Sequence, residues 1–247
     1  MVGSARREYP LPDSDGRDTR PSASIGARDA LLRDADALAR YLRPLLTPPP
    51  PEPLAPGGLA ATSGLPIQTP EPGMEGGMAT ARHAAVLAPL YGRDGEPWLL
   101  FTRRATGLSR HSGEISFPGG SRDASDVSLA HTALRESREE LALDESRVRL
   151  LGALPAAYVS VSDFAVTTYV GWLGEGLPEL TPSPAEVAEL IEAPLRALDD
   201  PAIYHEEIWT RGGVAHAVMF YDFGAYRIWG LTGRLLNHLL SLLPPRA

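Results

Sequence analysis

Nine consecutive residues, Ala133-Leu134-Arg135-Glu136-Ser137-Arg138-Glu139-Glu140-Leu141, constrain this chain more than any others. On a helix, Glu136, Glu139 and Glu140 fall within about one turn of each other on one face. Like charges at that spacing repel by about a few tenths of a kcal/mol, so a chain that keeps them together has a cation to place between them. Hard carboxylate oxygens suit Mg²⁺ or Mn²⁺. Ahead of them, Gly119-Gly120 lets the backbone come close to a phosphate. Taken alone, the nine residues fit a plainer description equally well, a solvated face on which Arg135 and Arg138 pair with neighbouring glutamates.

The flanking sequence sets this segment in an α/β frame. The motif helix is expected over Val127 to Leu141, with Ala130, Ala133, Leu134, Ser137 and Leu141 on one side and the glutamates facing a cleft on another. His83 to Leu90 and Trp98 to Arg103 read as a hairpin around the turn Gly92-Arg93-Asp94-Gly95. Glu114 to Phe117, Val148 to Leu154, Phe164 to Leu173 and His216 to Phe223 read as strands. Glu186 to Leu198 is expected to be partly helical. A last helix through Leu243 buries Leu235, Leu236, Leu239, Leu240 and Leu243. Strands and helices interleaved in this way predict an α/β sandwich.

The first 81 residues read as an N-terminal arm, and 82–247 as the folded domain. The arm opens with a disordered lead-in of mixed Asp, Arg, Ser, Gly and Pro. One amphipathic helix is expected over about 29–46, with Leu31, Leu32, Ala35, Leu38 and Leu42 on its apolar face. From Thr47 to Thr80 the Pro- and Gly-rich composition predicts a linker.

The net charge of −8 argues against nucleic acid as a partner, because a phosphate backbone would be repelled over most of the surface. A small anion needs only a local positive site, and Arg103, Arg104, Arg110 and Arg122 cluster around the motif. There is no lysine, so cationic phosphate contacts must come from arginine, whose planar fork suits them. The absence of cysteine excludes disulfides and thiolate chemistry. Neither a secretory leader nor an apolar run of membrane-spanning length is apparent, so a cytoplasmic location without a membrane partner is expected. A homodimer is left open.

Gly120, Asp126, Arg135, Glu136, Glu139 and Glu140 together resemble the Nudix box. That pattern runs glycine, an acid six positions on, then Arg-Glu, an aliphatic residue, any residue and Glu-Glu. Asp126 stands where glutamate is usual, Arg135 comes one residue late, Ser137 replaces the aliphatic residue and Ala142 the closing glycine. Upstream, Leu100-Phe101-Thr102-Arg103-Arg104-Ala105 and Gly113 through Gly120 resemble a second signature, that of the coenzyme A pyrophosphatase branch. This branch accommodates both the longer spacing and the aspartate; Ser109 takes the place of its second arginine, with Arg110 alongside. The resemblance extends from about Arg82 to Pro244.

It implies a Nudix-type α/β/α sandwich with a mixed central sheet, and hydrolysis of the pyrophosphate of coenzyme A or its thioesters to 3′,5′-ADP and 4′-phosphopantetheine. Glu136, Glu139 and Glu140 would hold Mg²⁺ or Mn²⁺, with Arg135 orienting a carboxylate. Arg103, Arg104, Arg110, Gly119 and Gly120 would meet substrate. The base is Glu139 or Glu140, or lies outside the box at Glu186 or Glu189; Glu189 is carried forward as the catalytic candidate. His111 is either a phosphate contact or a loop residue, and Trp229 reads as packing. The alternatives are a pyrophosphatase for another nucleoside diphosphate derivative, such as ADP-ribose or NADH, and a nucleotide-binding regulatory module without catalysis.

Overall fold

The computed structural model describes residues 6–7, 26–48, 80–105, 113–160, 162–211 and 214–246. Its first elements are β1 (Arg6–Arg7), α1 (Ala27–Leu31), α2 (Ala35–Leu42), β2 (Arg82–Arg93), β3 (Glu96–Arg104), β4 (Ile115–Ser116) and β5 (Gly119–Ser121). The motif helix is α3 (Leu129–Leu141), followed by β6 (Arg149–Ala153), β7 (Ala157–Val159), β8 (Phe164–Glu175), β9 (Val187–Pro194) and α4 (Leu195–Leu198). A hairpin of β10 (Tyr204–Arg211) and β11 (Val214–Phe223) leads through β12 (Tyr226–Trp229) to α5 (Gly230–Ser241).

The main sheet runs β1-β9-β3-β2-β8-β6, with β5 added beside β2, β4 beside β3 and β7 beside β8. It is mixed: β2 lies parallel to β8 and antiparallel to β3. Asp94 and Gly95 take positive φ, 52° and 79°, and close the β2–β3 turn in the left-handed sense that tight hairpins need. Along β2, alternate side chains serve two cores. Ala85, Leu87 and Tyr91 pack with Ala130, Ala133 and Leu141 of α3, whereas Ala88 and Leu90 pack with Leu38 and Leu42 of α2 and Leu235 and Leu239 of α5. The expected sandwich of helices on both faces of a mixed sheet is therefore present.

Four expectations change. The single helix over 29–46 is two helices, because Asp34 leaves the helical region (φ −138°, ψ 100°) and its carboxylate accepts from the Ala37 amide at 2.8 Å, starting α2 afresh. These helices are also not part of a detached arm. Leu38 and Leu42 are fully buried, the Ala35 amide donates to Gly95 O at 2.8 Å, and Arg28 Nε donates to Asp199 Oδ2 at 2.8 Å. A boundary at residue 81 thus cuts through one core. Glu186 to Leu198 is mainly β9, seated between β1 and β3 with Leu190 and Ile191 buried on opposite faces; only its last turn is helical. Finally, β10 was not foreseen in the sequence, nor was β7. The bulk of the lead-in and the Pro- and Gly-rich linker lie outside the described residues. No helix among the described residues is long and apolar enough to cross a membrane.

Candidate active site

The site is assembled where β5 lies between β2 and α3. Gly119 pairs with Val86 and Gly120 with Ala85. Gly119 has φ 148°, and a Cβ there would stand 2.4 Å from Ala85 O; a Cβ on Gly120 would stand 2.6 Å from the Glu136 carboxyl group. At Gly119 only glycine allows the approach, and at Gly120 a Cβ would push the Glu136 carboxylate aside. The Glu136 carboxylate consequently rests against bare backbone.

Helix α3 starts from Ser128, whose hydroxyl accepts from the His131 amide at 3.1 Å. Just upstream, Asp126 is 2% exposed and accepts from the Asp123 amide at 2.8 Å, from Thr132 Oγ1 at 2.9 Å, and from Arg135 Nε and Nη2, both at 2.9 Å. Burial opposes its ionisation, but the Arg135 fork, the Asp123 amide and the Thr132 hydroxyl outweigh burial and hold the carboxyl far below the usual carboxylate range. Hydrogen bonding to Asp126 in turn raises the Arg135 guanidinium above its ordinary value. Arg135 Nη1 then donates to Glu136 Oε1 at 2.9 Å and Glu139 Oε2 at 3.0 Å, and Nη2 to Ser121 O at 3.1 Å. One arginine thereby fixes the loop, the β5 strand and two of the three glutamates.

The glutamates are not equivalent in burial. Glu139 is exposed, Glu136 half-buried and Glu140 buried at 4% exposure. Burial pushes the Glu140 carboxyl up to about 7, with partial relief from Arg104 and the Gly119 amide and further upward pressure from Glu136 and Glu186. Its partners are remote: Arg104 Nη1 stands 3.7 Å from Oε1, and the Gly119 amide donates to Oε2 at 3.3 Å. Glu136 is raised too, by burial first and by Glu139 and Glu186, against the pull of Arg135. Arg104 itself has a buried Nε without a hydrogen-bond partner. A buried guanidinium N–H left unpaired is costly, and a ligand anion would satisfy it.

Among the described residues, no three side chains of metal-binding type gather at ligating distance. Glu136 and Glu139 are instead drawn onto Arg135. The donor set still fits a hard divalent cation, since it consists of carboxylates that raise one another's proton affinity and include a buried one with no close counter-charge.

Of the other residues singled out in the sequence, Arg103 and Glu189 are corrected. Arg103 Nε donates to Glu189 Oε2 at 2.9 Å, and Tyr226 Oη donates to Glu189 Oε1 at 2.8 Å. Both residues lie on the sheet face of Phe101 and Ile191, opposite α3. They form a strut on the other face of the sheet, with Glu189 buried and Arg103 partly exposed, and are not placed to meet the helix carboxylates. Glu186, the other candidate outside the box, is close enough to act electrostatically on Glu136 and Glu140. Ser109, Arg110 and His111 lie outside the described residues. The central role of Asp126 was missed; the signal was there in Thr132 and Arg135, which follow the Ser128 cap at helical spacing and share its face.

The departures at the helix end also find their place. Ala142 adopts the left-handed conformation, φ 54° and ψ 30°, that a glycine would take without strain. Ser137 is buried and returns its hydroxyl to Ala133 O at 2.7 Å.

Residues 81–209 match the NUDIX domain. A protein of Photorhabdus laumondii named "Uncharacterized Nudix hydrolase NudL" is 42% identical over 158 residues, covering 64% of this chain and 83% of the relative. A protein of the same name from Yersinia enterocolitica is 42% identical over 174 residues, 70% of this chain and 86% of the relative. Among solved structures, a Nudix hydrolase from M. smegmatis, RenU, has a TM-score of 0.41 at 21% identity, over 48% of this chain and 73% of that one.

Proposed function

The chain belongs to the NUDIX family and is a hydrolase, and from that premise we propose that it hydrolyses the pyrophosphate bond of coenzyme A to 3′,5′-ADP and 4′-phosphopantetheine. The observation that carries the reading is the charge imbalance beside Gly120. The charge of Arg135 is matched by Asp126, which leaves Arg104 alone among the described residues against Glu136, Glu139, Glu140 and Glu186. A site so acidic, with an unpaired guanidinium N–H beside it, suits a divalent cation together with a polyanion. Nudix hydrolases generally use ions such as Mg²⁺ or Mn²⁺. The run from Leu100 to Gly120, with its resemblance to the coenzyme A pyrophosphatase signature, supports coenzyme A over other nucleoside diphosphate derivatives.

Glu136, Glu139 and Glu140 would hold the ion, which when bound neutralises the diphosphate and acidifies water. Glu140 has to be ionised to serve, and Arg104 and the Gly119 amide favour that form. Arg135, fixed by Asp126, orients Glu136 and Glu139. Arg104 meets the non-bridging phosphate oxygens through its unpaired Nε. Glu186 takes the proton from water as the water oxygen bonds to one phosphorus. The bridging P–O bond breaks, and the second phosphate leaves with the bond's electron pair.

Incubation with coenzyme A and Mg²⁺ or Mn²⁺, with products resolved by mass, tests this. Phosphopantetheine and 3′,5′-ADP are expected in equal amounts. Intact coenzyme A alongside rapid cleavage of ADP-ribose or NADH would overturn the substrate assignment.

A further inference from the structure

The sheet of β10, β11 and β12 ends on an open edge. Strand β10 pairs with β11 alone, in unbroken register from Tyr204↔Tyr221 to Arg211↔Val214. Neither a proline nor a bulge interrupts its eight residues, and both are devices by which sheets usually blunt an edge. The far half of the strand overhangs the body. Tyr221, Phe223 and Ile228, on the inner face of this sheet, pack with Leu235 and Leu239 of α5, whereas Ile208 on the same face is 69% exposed. The outer face is stiffened by a row of rings. His205, Phe220 and Trp229 oppose one another across the three strands and stack at 5.1 and 6.0 Å, and Trp209, itself 45% exposed, leans on Phe220 and Trp229 at 5.9 and 5.6 Å. The edge is thus long, stiff and apolar at its most exposed point, and among the described residues no further strand meets its outer row of backbone donors and acceptors.

The side chains of β10 select what can lie beside it. Glu206 and Glu207 repel a phosphate backbone or an acidic peptide. A second β10 running antiparallel meets no such obstacle. Two copies related by a twofold axis normal to the sheet keep each face continuous, so opposed residues share parity. With Ile208 on the axis, Ile208 meets the Ile208 of the other copy, Glu206 meets Thr210, and Glu207 meets Trp209. Each acid then faces a donor: the Thr210 hydroxyl, and an indole whose Nε1 already donates to Glu207 Oε2 at 2.8 Å within one chain. Centring the pair on residue 207 would set Glu207 against itself, which like-charge repulsion disfavours. Centring it on Trp209 would oppose Ile208 with Thr210 and leave the most exposed apolar side chain without an apolar partner. We propose that the protein is a homodimer formed by antiparallel pairing of β10 with β10 about Ile208, which joins the two small sheets into one. The interface lies on the α5 side of the main sheet, away from α3, and is independent of the substrate assignment.

Sedimentation equilibrium of the full chain tests this, and should give twice the chain mass at about 100 µM, falling on dilution. Ile208→Lys removes one apolar contact from each copy and opposes two charges on the axis. It should raise the dimer dissociation constant by about a hundredfold or more, about tenfold per copy, with an unchanged far-UV circular dichroism spectrum. The chain has no cysteine, so single cysteines report the register without background. Opposed Cβ atoms in such a pair stand about 4.5–5.5 Å apart, and Ile208→Cys should form an intermolecular disulfide under mild oxidation. Thr210→Cys would lie about 13 Å from its copy, beyond disulfide reach, and should cross-link at least about tenfold more slowly. A parent that stays monomeric at about 100 µM would overturn the proposal whether or not any variant folds, and equally if β10 then captured a basic peptide instead. A dimer indifferent to Ile208→Lys, or one that cross-links at both cysteines alike, would place the contact elsewhere and overturn it too.

Discussion

Replacing Glu140 with glutamine separates the cost of this site from its use. In chelator, burial raises the Glu140 carboxyl from 4.5 to about 7, so the folded protein favours the protonated acid. Stability is then undiminished below pH about 4.5 and is lost as pH rises through 7, because ionisation in the fold is harder than in the unfolded chain. That displacement corresponds to about 3 kcal/mol once the group is fully ionised. Glutamine has the same shape and no charge. Glu140→Gln should therefore be more stable than the parent by about 3 kcal/mol at pH 8.5 in EDTA, and by less than about 1 kcal/mol at pH 5. Melting would rise by about 6–12 °C at the higher pH. Added Mg²⁺ should then stabilise the parent and not the variant, and the variant should lose the metal-dependent rate. Paired thermal melts at the two pH values, with and without metal, provide the measurement. A variant less stable than the parent at pH 8.5 in EDTA, or a difference that ignores pH, would refute the reasoning.

The two acids outside the box should behave differently. Glu186→Gln is expected to lower kcat by about a hundredfold or more with little change in melting, as loss of a general base does. Glu189→Gln should leave the pH profile of kcat in place and instead lower stability by about 1–3 kcal/mol in urea denaturation, since Arg103 loses the charge of its partner. Ala142→Gly should stabilise the protein by about 1 kcal/mol through relief of the left-handed alanine, with unchanged turnover; a fall in the urea midpoint would count against that account.

The parts of this molecule legible in its sequence are those specified by local periodicity. The α3 glutamates, the Asp94-Gly95 turn and the leucine stripe of α5 all follow from spacing along one element. What was not legible depends on a partner distant in the chain. The apolar stripe of α2 was visible, yet nothing local says that Leu38 and Leu42 close the same core as Leu235 and Leu239. Glu186 and Glu189 look like neighbours on one helical face, and in a helix they would be. In the fold they precede and enter β9, where the pairing of Arg103 with Glu189 and of Arg104 with Val187 skips Ala188. Glu189 keeps step with Ile191 and so faces away from α3, while the skipped residue shifts only Val187 and what precedes it.

Strand parity sorts the arginines in the same way. Arg103 and Arg104 are adjacent in the sequence and equivalent as phosphate ligands, but consecutive residues on β3 face opposite sides of the sheet. Arg103 goes to Glu189, which also accepts from Tyr226, on the face away from α3, and contributes rigidity. Arg104 goes to Glu140 and retains a buried Nε without a hydrogen-bond partner. The same alternation, applied to β5, carries Arg122 to the face of Gly120 and Glu136, two residues beyond the glycines. A motif read as a string assigns both members of the Arg103-Arg104 pair to substrate. Read through the pleat of the strands, it sets Arg104 beside the helix carboxylates and Arg103 in the framework on the other face.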